Sequence, residues 1–134
     1  VEKLAPYTVN VHFKDMAVEE TPSGFLLSEV PLGDGMLDLR RMVDTIRRVR
    51  PDVHFSLEMI TRDPLEVPCV TDKYWTTFTD VNGVALARTL GRVRANRPRQ
   101  PLPRTSGLSL PQRYSLEVQY IERSIEYAAK VLGI

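Results

Sequence analysis

From Thr8 to Lys14 apolar and polar residues alternate, with Val9, Val11 and Phe13 on one face and Asn10, His12 and Lys14 on the other, which predicts a strand. Two extended-looking runs, Met16 to Glu19 and Phe25 to Val30, flank the turn-forming segment Glu19 to Gly24 and predict a small hairpin standing off the main sheet. A second turn follows at Pro31-Leu32-Gly33-Asp34-Gly35. Beyond it Leu39, Met42, Val43, Ile46 and Val49 recur at helical spacing, with Asp38 placed as N-cap, Arg47, Arg48 and Arg50 at the last turn and Pro51 as the stop. A helix over 38–50 is expected. The alternation returns from Val53 to Glu58, where Val53, Phe55 and Leu57 oppose His54, Ser56 and Glu58, and predicts a second strand.

Residues Met59 to Asp80 carry Pro64, Pro68 and no sustained period, so a long loop is expected there, with a helical turn at Asp72 to Thr76. Val84, Ala87, Leu90 and Val93 mark a short helix. The proline-rich connector Arg97 to Arg104 is expected to be extended and exposed. Ser109 and Gln112 then form an S-x-x-Q capping box for a last helix, whose apolar stripe is Tyr114, Val118, Ile121, Ile125, Ala128 and Leu132 and whose stop is Gly133.

Strand, helix, strand, loop and helices in this order define an α/β class. Two parallel strands joined by a helix are normally buried on both faces and need neighbours. In a closed (β/α)8 barrel their polar faces would point into the lumen near the C-terminal rim, where such enzymes place their chemistry. The chain opens on Val1 rather than Met and runs almost directly into the first strand, which points to sequence upstream. The expectation is therefore one partial domain over 1–134, with the connector near 97–108 preceding the last helix.

Composition narrows the picture only a little. Hydrophobic residues make up 43% of the 134, as in a folded globular domain, and 18 Lys+Arg nearly cancel 17 Asp+Glu, so no global field points to nucleic acid or an anionic membrane. No stretch approaches the roughly 20 apolar residues of a membrane span. Cys69 stands alone, which excludes an internal disulfide and fits a reducing compartment, so a cytoplasmic location is expected.

His12 and Glu58 are the foremost candidates for chemistry. Each sits on the polar face at or near the C-terminal end of a strand, with a helix crossover between, which puts an imidazole and a carboxylate at one rim within reach of a single divalent cation. A hydrogen-bonded structural histidine and an exposed strand glutamate are the plainer alternative. Val11-His12-Phe13-Lys14-Asp15 resembles the H-x-K-D segment ending the seventh strand of xylose-isomerase-like TIM barrels, the superfamily of sugar phosphate isomerases and epimerases. Pro31-Leu32-Gly33-Asp34-Gly35-Met36-Leu37-Asp38 is similar to its G-x-G-x-x-D entry to the seventh helix, and Phe55-Ser56-Leu57-Glu58 to the end of its eighth strand.

The resemblance implies the C-terminal part of a (β/α)8 barrel, strands seven and eight with their helices. It also implies that His12 and Glu58 are two ligands of a divalent metal (Mn, Mg, Co or Zn), the other two being a Glu and an Asp from earlier strands. Glu58 would be one of a pair of acid/base glutamates that move a proton next to a carbonyl of a sugar or sugar phosphate. Lys14 would neutralise an enediolate-like intermediate or meet a substrate oxygen, and Asp15 would orient His12 or bind metal or substrate directly. A rim lysine and a strand-ending turn aspartate are the alternatives.

Arg62 is a candidate phosphate or carboxylate clamp, or a surface arginine, and Trp75 an aromatic wall over the sugar, or a residue packing its own loop. Gly33 and Gly35 read as turn glycines, and His54 as a lumen-packing residue. The arginines Arg88, Arg92, Arg94, Arg97, Arg99 and Arg104 read as a solvated face rather than a nucleic-acid surface, since no aromatics stand among them. The alternatives to an isomerase or epimerase are a dehydratase or abasic-site endonuclease of the same superfamily, and an inactive remnant or assembly module completed by another chain. A homo-oligomer is allowed.

Overall fold

The computed structural model describes residues 1–78, 80 and 83–134. A 3-10 turn at Ala5–Tyr7 leads into β1 (Asn10–Phe13), which is followed by the hairpin of β2 (Asp15–Thr21) and β3 (Gly24–Val30). Helix α1 (Leu39–Arg47) crosses over to β4 (His54–Leu57), which pairs parallel with β1 in the register Asn10 to His54 through Phe13 to Leu57. Next come β5 (Leu65–Val67), α2 (Asp72–Trp75), α3 (Gly83–Ala95) and α4 (Leu110–Tyr127), the last continuing as a π-helical turn over Ala128–Leu132 that Gly133 ends in the left-handed conformation. The class is mixed α/β.

Among the described residues the strands form two small sheets, the parallel pair β1-β4 and an antiparallel sheet of order β2-β3-β5, and no closed barrel. The alternation in β1 and β4 sorts as predicted. Phe13 is buried, Val11, Phe55 and Leu57 are half-buried, and Asn10, His12, His54 and Ser56 are exposed. The apolar side meets Leu39 and Val43 of α1 and Leu132 at the end of the chain's last helix, with the Phe13 and Phe55 rings edge to face at 5.3 Å. The polar side is open to solvent, and His54, expected to pack in a lumen, is exposed on it in this chain.

The hairpin appears as predicted, in the register Asp15 to Val30 through Thr21 to Gly24. The expected long loop is corrected in part, because Leu65–Val67 adds to β3 as a third strand; three residues between Pro64 and Pro68 are too few to give a period. The helical turn expected at Asp72 to Thr76 is α2, capped by Thr76. The end of that expected loop, at Thr79, lies outside the described residues. The connector is extended and largely exposed, as expected, but its end departs from expectation. Leu102, Pro103 and Thr105 are buried, and Leu102 packs on Ala17 and Val30. Asp63 fastens it, its carboxylate accepting from the backbone N–H and hydroxyl of both Thr105 and Ser106.

Asp15 ties these pieces together. It is 1% exposed, and its carboxylate accepts four backbone N–H groups: Met16 (2.9 Å) and Leu37 (3.2 Å) on Oδ1, Gly33 and Gly35 (both 3.0 Å) on Oδ2. That set accounts for both turn glycines. Gly33 has φ +90° with the Tyr127 ring against it, and a Cβ on Gly35 would collide with the Asp15 carboxylate. The same turn is clamped from the other side by Ser124, whose hydroxyl accepts from Leu32 N–H at 3.2 Å and donates to Tyr120 carbonyl at 2.7 Å. Asp38 caps α1 by accepting from Arg41 N–H, and Arg40 and Arg47 of α1 donate to the Leu132 and Gly133 carbonyls that end the last helix. The helix stripe from Tyr114 to Ile125 is less covered than predicted, Tyr114 being 74% and Ile125 57% exposed.

Burial holds the Asp15 carboxyl above the usual aspartate range, the amides of Leu37, Gly35, Met16 and Gly33 offsetting only part of the rise. Asp15→Ala leaves four buried donors without their acceptor and is expected to lower unfolding free energy by about 2–4 kcal/mol. Asp15→Asn is expected to lose most of the same amount, since its amide nitrogen would face N–H donors. Urea denaturation checks both; a loss under about 0.5 kcal/mol for the alanine variant would contradict the role.

Candidate functional site

The parallel ladder brings the candidate residues together. Glu58 N–H donates to the Phe13 carbonyl at 3.0 Å, one step beyond the last β4 pair, and this fixes Glu58 beside the exit of β1. Since side chains alternate, His12 and Lys14 flank Phe13 on the same side as Glu58. Glu58 Oε2 lies 3.1 Å from His12 Nδ1, and Glu58 Oε1 lies 2.7 Å from Lys14 Nζ. One carboxylate is thus shared by an imidazole and an ammonium. All three side chains reach solvent, His12 most, at 70% exposed.

A further carboxylate that the sequence reading passed over joins them. Glu29, on β3 of the other sheet, is only 7% exposed. Its Oε2 accepts from Ile60 N–H at 2.7 Å, and its Oε1 is 3.8 Å from Lys14 Nζ and 3.7 Å from Arg62 Nη2. The signal was one acidic residue in the mostly apolar run Phe25-Leu26-Leu27-Ser28-Glu29-Val30.

The structure separates two candidates from this cluster. Asp15 is held elsewhere, both its oxygens accepting backbone amides of Met16, Gly33, Gly35 and Leu37. Trp75 contacts its own loop, its Nε1 donating to the Cys69 carbonyl at 2.8 Å and its ring meeting Tyr74 and Phe78. Cys69 itself is buried. Arg62 does reach the cluster, through Glu29 rather than Glu58.

Lys14 first, and His12 after it, hold the Glu58 carboxyl below the usual glutamate range. At neutral pH the group is a carboxylate, as a ligand or a base requires. In donor type the pair suits a borderline divalent cation, one imidazole nitrogen and one carboxylate oxygen. Two ligand atoms each about 2.1 Å from a metal stand about 3 Å apart at a right angle, close to the spacing seen. Among the described residues no group of three His, Cys, Asp or Glu side chains stands ready for a metal, so a cation held by the pair would need further ligands from elsewhere.

The arginines on α3 are in part structural, Arg94 holding Glu20 of β2 at 2.8 Å. No described helix is long and apolar enough to cross a membrane. No family model matches the sequence, and neither curated proteins nor solved structures give a match.

Because the folded-state value of Glu58 is depressed, its ion pairs contribute above about pH 4.3, the ordinary glutamate value, and are lost as pH falls through the depressed one. Lys14→Met is expected to move the Glu58 titration upward, toward the ordinary value, followed by carboxyl 13C NMR. An unmoved titration would show that Lys14 does not engage Glu58 in solution.

Proposed function

We propose that this chain is the C-terminal portion of a metal-dependent (β/α)8 enzyme of the xylose-isomerase-like type, a sugar or sugar phosphate isomerase or epimerase. The observation that carries the reading is the 3.1 Å approach of His12 Nδ1 to Glu58 Oε2 at the C-terminal ends of adjacent parallel strands. Ligands in parallel α/β sheets gather at those ends. In the proposal β1 and β4 are the seventh and eighth barrel strands, the free edges of the pair are completed by further strands, and a Glu and an Asp on those strands complete the metal site.

The bound metal would polarise the sugar's oxygens. Glu58, kept ionised by Lys14, would take the proton from the carbon beside the carbonyl. The Lys14 ammonium stands next to it to offset the negative charge that develops on the substrate oxygen. Arg62, more than half exposed and paired only loosely with Glu29, is the group left to hold an anionic end of the substrate. A second reading, an assembly module completed by another chain, is favoured by the exposed Tyr114 and Ile125 on α4. It predicts self-association at micromolar concentration.

Mn2+ titration calorimetry tests the enzyme reading, on this chain and on a version joined to upstream strands. Binding is expected to be weak in the first and tight in the second, and His12→Ala or Glu58→Ala to weaken the second at least about tenfold. Tight binding indifferent to both substitutions, or none in the extended protein, would overturn the assignment.

A further inference from the structure

Glu29 is a buried carboxylate beside the cluster of His12, Lys14 and Glu58 for which the proposed reaction has no use, and its three partners come from two different strand exits. Its Oε2 accepts the Ile60 N–H at 2.7 Å, two residues after Glu58. Its Oε1 faces two cations at once, Lys14 Nζ at 3.8 Å and Arg62 Nη2 at 3.7 Å. Neither of those distances is a hydrogen bond, so the attraction is ionic and leaves the donors of both cations available. Lys14 makes its hydrogen-bond contact with Glu58, at 2.7 Å.

A carboxylate so little exposed loses hydration on folding, and it persists only where hydrogen bonds and opposite charges replace that hydration. Here the replacements are the Ile60 amide and the two cations. Each is thereby constrained in return. The Ile60 bond fixes the backbone leaving β4, which carries Glu58, and the charge on Oε1 holds Lys14 between two carboxylates. β3, which carries Glu29, belongs to the antiparallel sheet, so the excursion buttresses the rim of the parallel pair.

We propose that Glu29 is a positioning residue of this site: one oxygen fixes the chain after Glu58, and the other holds Lys14 and Arg62 at the rim. The inference rests on the proposed function only for calling the cluster a site, and its test involves no metal, so either can fail alone.

The test is NMR on the full chain, reading amide hydrogen exchange at Ile60 and the 15N order parameter of the Lys14 ammonium, in the wild type, Glu29→Gln and Glu29→Ala. Glu29→Gln keeps an oxygen for Ile60 but removes the charge. It is expected to leave Ile60 protection within about threefold while clearly loosening Lys14. Glu29→Ala is expected to loosen Lys14 and to speed Ile60 exchange about tenfold or more, the loss of one hydrogen bond. If the alanine variant does not fold, the glutamine variant decides. Lys14 mobility unchanged in Glu29→Gln, or Ile60 protection lost in it, would overturn the proposal, as would an alanine variant that behaves like the wild type at both positions.

Discussion

The Asp15 carboxylate, accepting four backbone N–H groups inside the fold, is the interaction on which the rest of the structure depends. It joins the end of β1 to the turn before α1, and that turn is gripped in turn by Ser124 and Tyr127 of the last helix. Without it three amides of the turn, and that of Met16 on β2, have no acceptor in place, and α1 would start from an unanchored Asp38. The two glycines follow from the same constraint: one supplies a left-handed backbone and the other the space that the carboxylate fills.

The charged cluster at the ends of β1 and β4 is downstream of that anchor. His12 and Lys14 lie within three residues of Asp15, so the strand exit that carries them is held where the anchor holds it. Glu58 arrives opposite them through the parallel ladder, and Glu29 meets the cluster from the antiparallel sheet. The charges alternate, with the Lys14 ammonium between two carboxylates and the Glu29 carboxylate between two cations. Within it Lys14 first, and His12 after it, hold the Glu58 carboxyl below the usual glutamate range.

Local patterns were legible in the sequence where a period or a cap was present. The alternation at Asn10 to Phe13 and Phe55 to Leu57 gave both strands and their faces, although Val9, placed on the apolar face, is exposed ahead of β1; Asp38 gave the start of α1, and the pairing of His12 with Glu58 was read from strand ends alone. What could not be read depended on contacts distant in sequence. Asp15 sits beside Lys14, and only the turn at Pro31 to Leu37 decides that its carboxylate faces inward. Strand β5 has three residues and owes its existence to the edge of β3. Leu102 and Thr105 are buried because Asp63 and the hairpin receive the connector, although its composition is that of an exposed linker. Glu29 went unnoticed because a charge in a hairpin strand is usually solvated.

The central functional claim is that His12 and Glu58 form one cation site at the ends of β1 and β4. Paramagnetic broadening by substoichiometric Mn2+ in the amide NMR spectrum of this chain addresses it most directly, since the effect falls steeply with distance and registers weak binding. The account predicts that His12, Phe13, Leu57 and Glu58 broaden first and that Glu126 and Lys130, on the last helix, remain sharp. Broadening that begins at Glu126 or Asp34, or that spreads evenly along the chain, would contradict it.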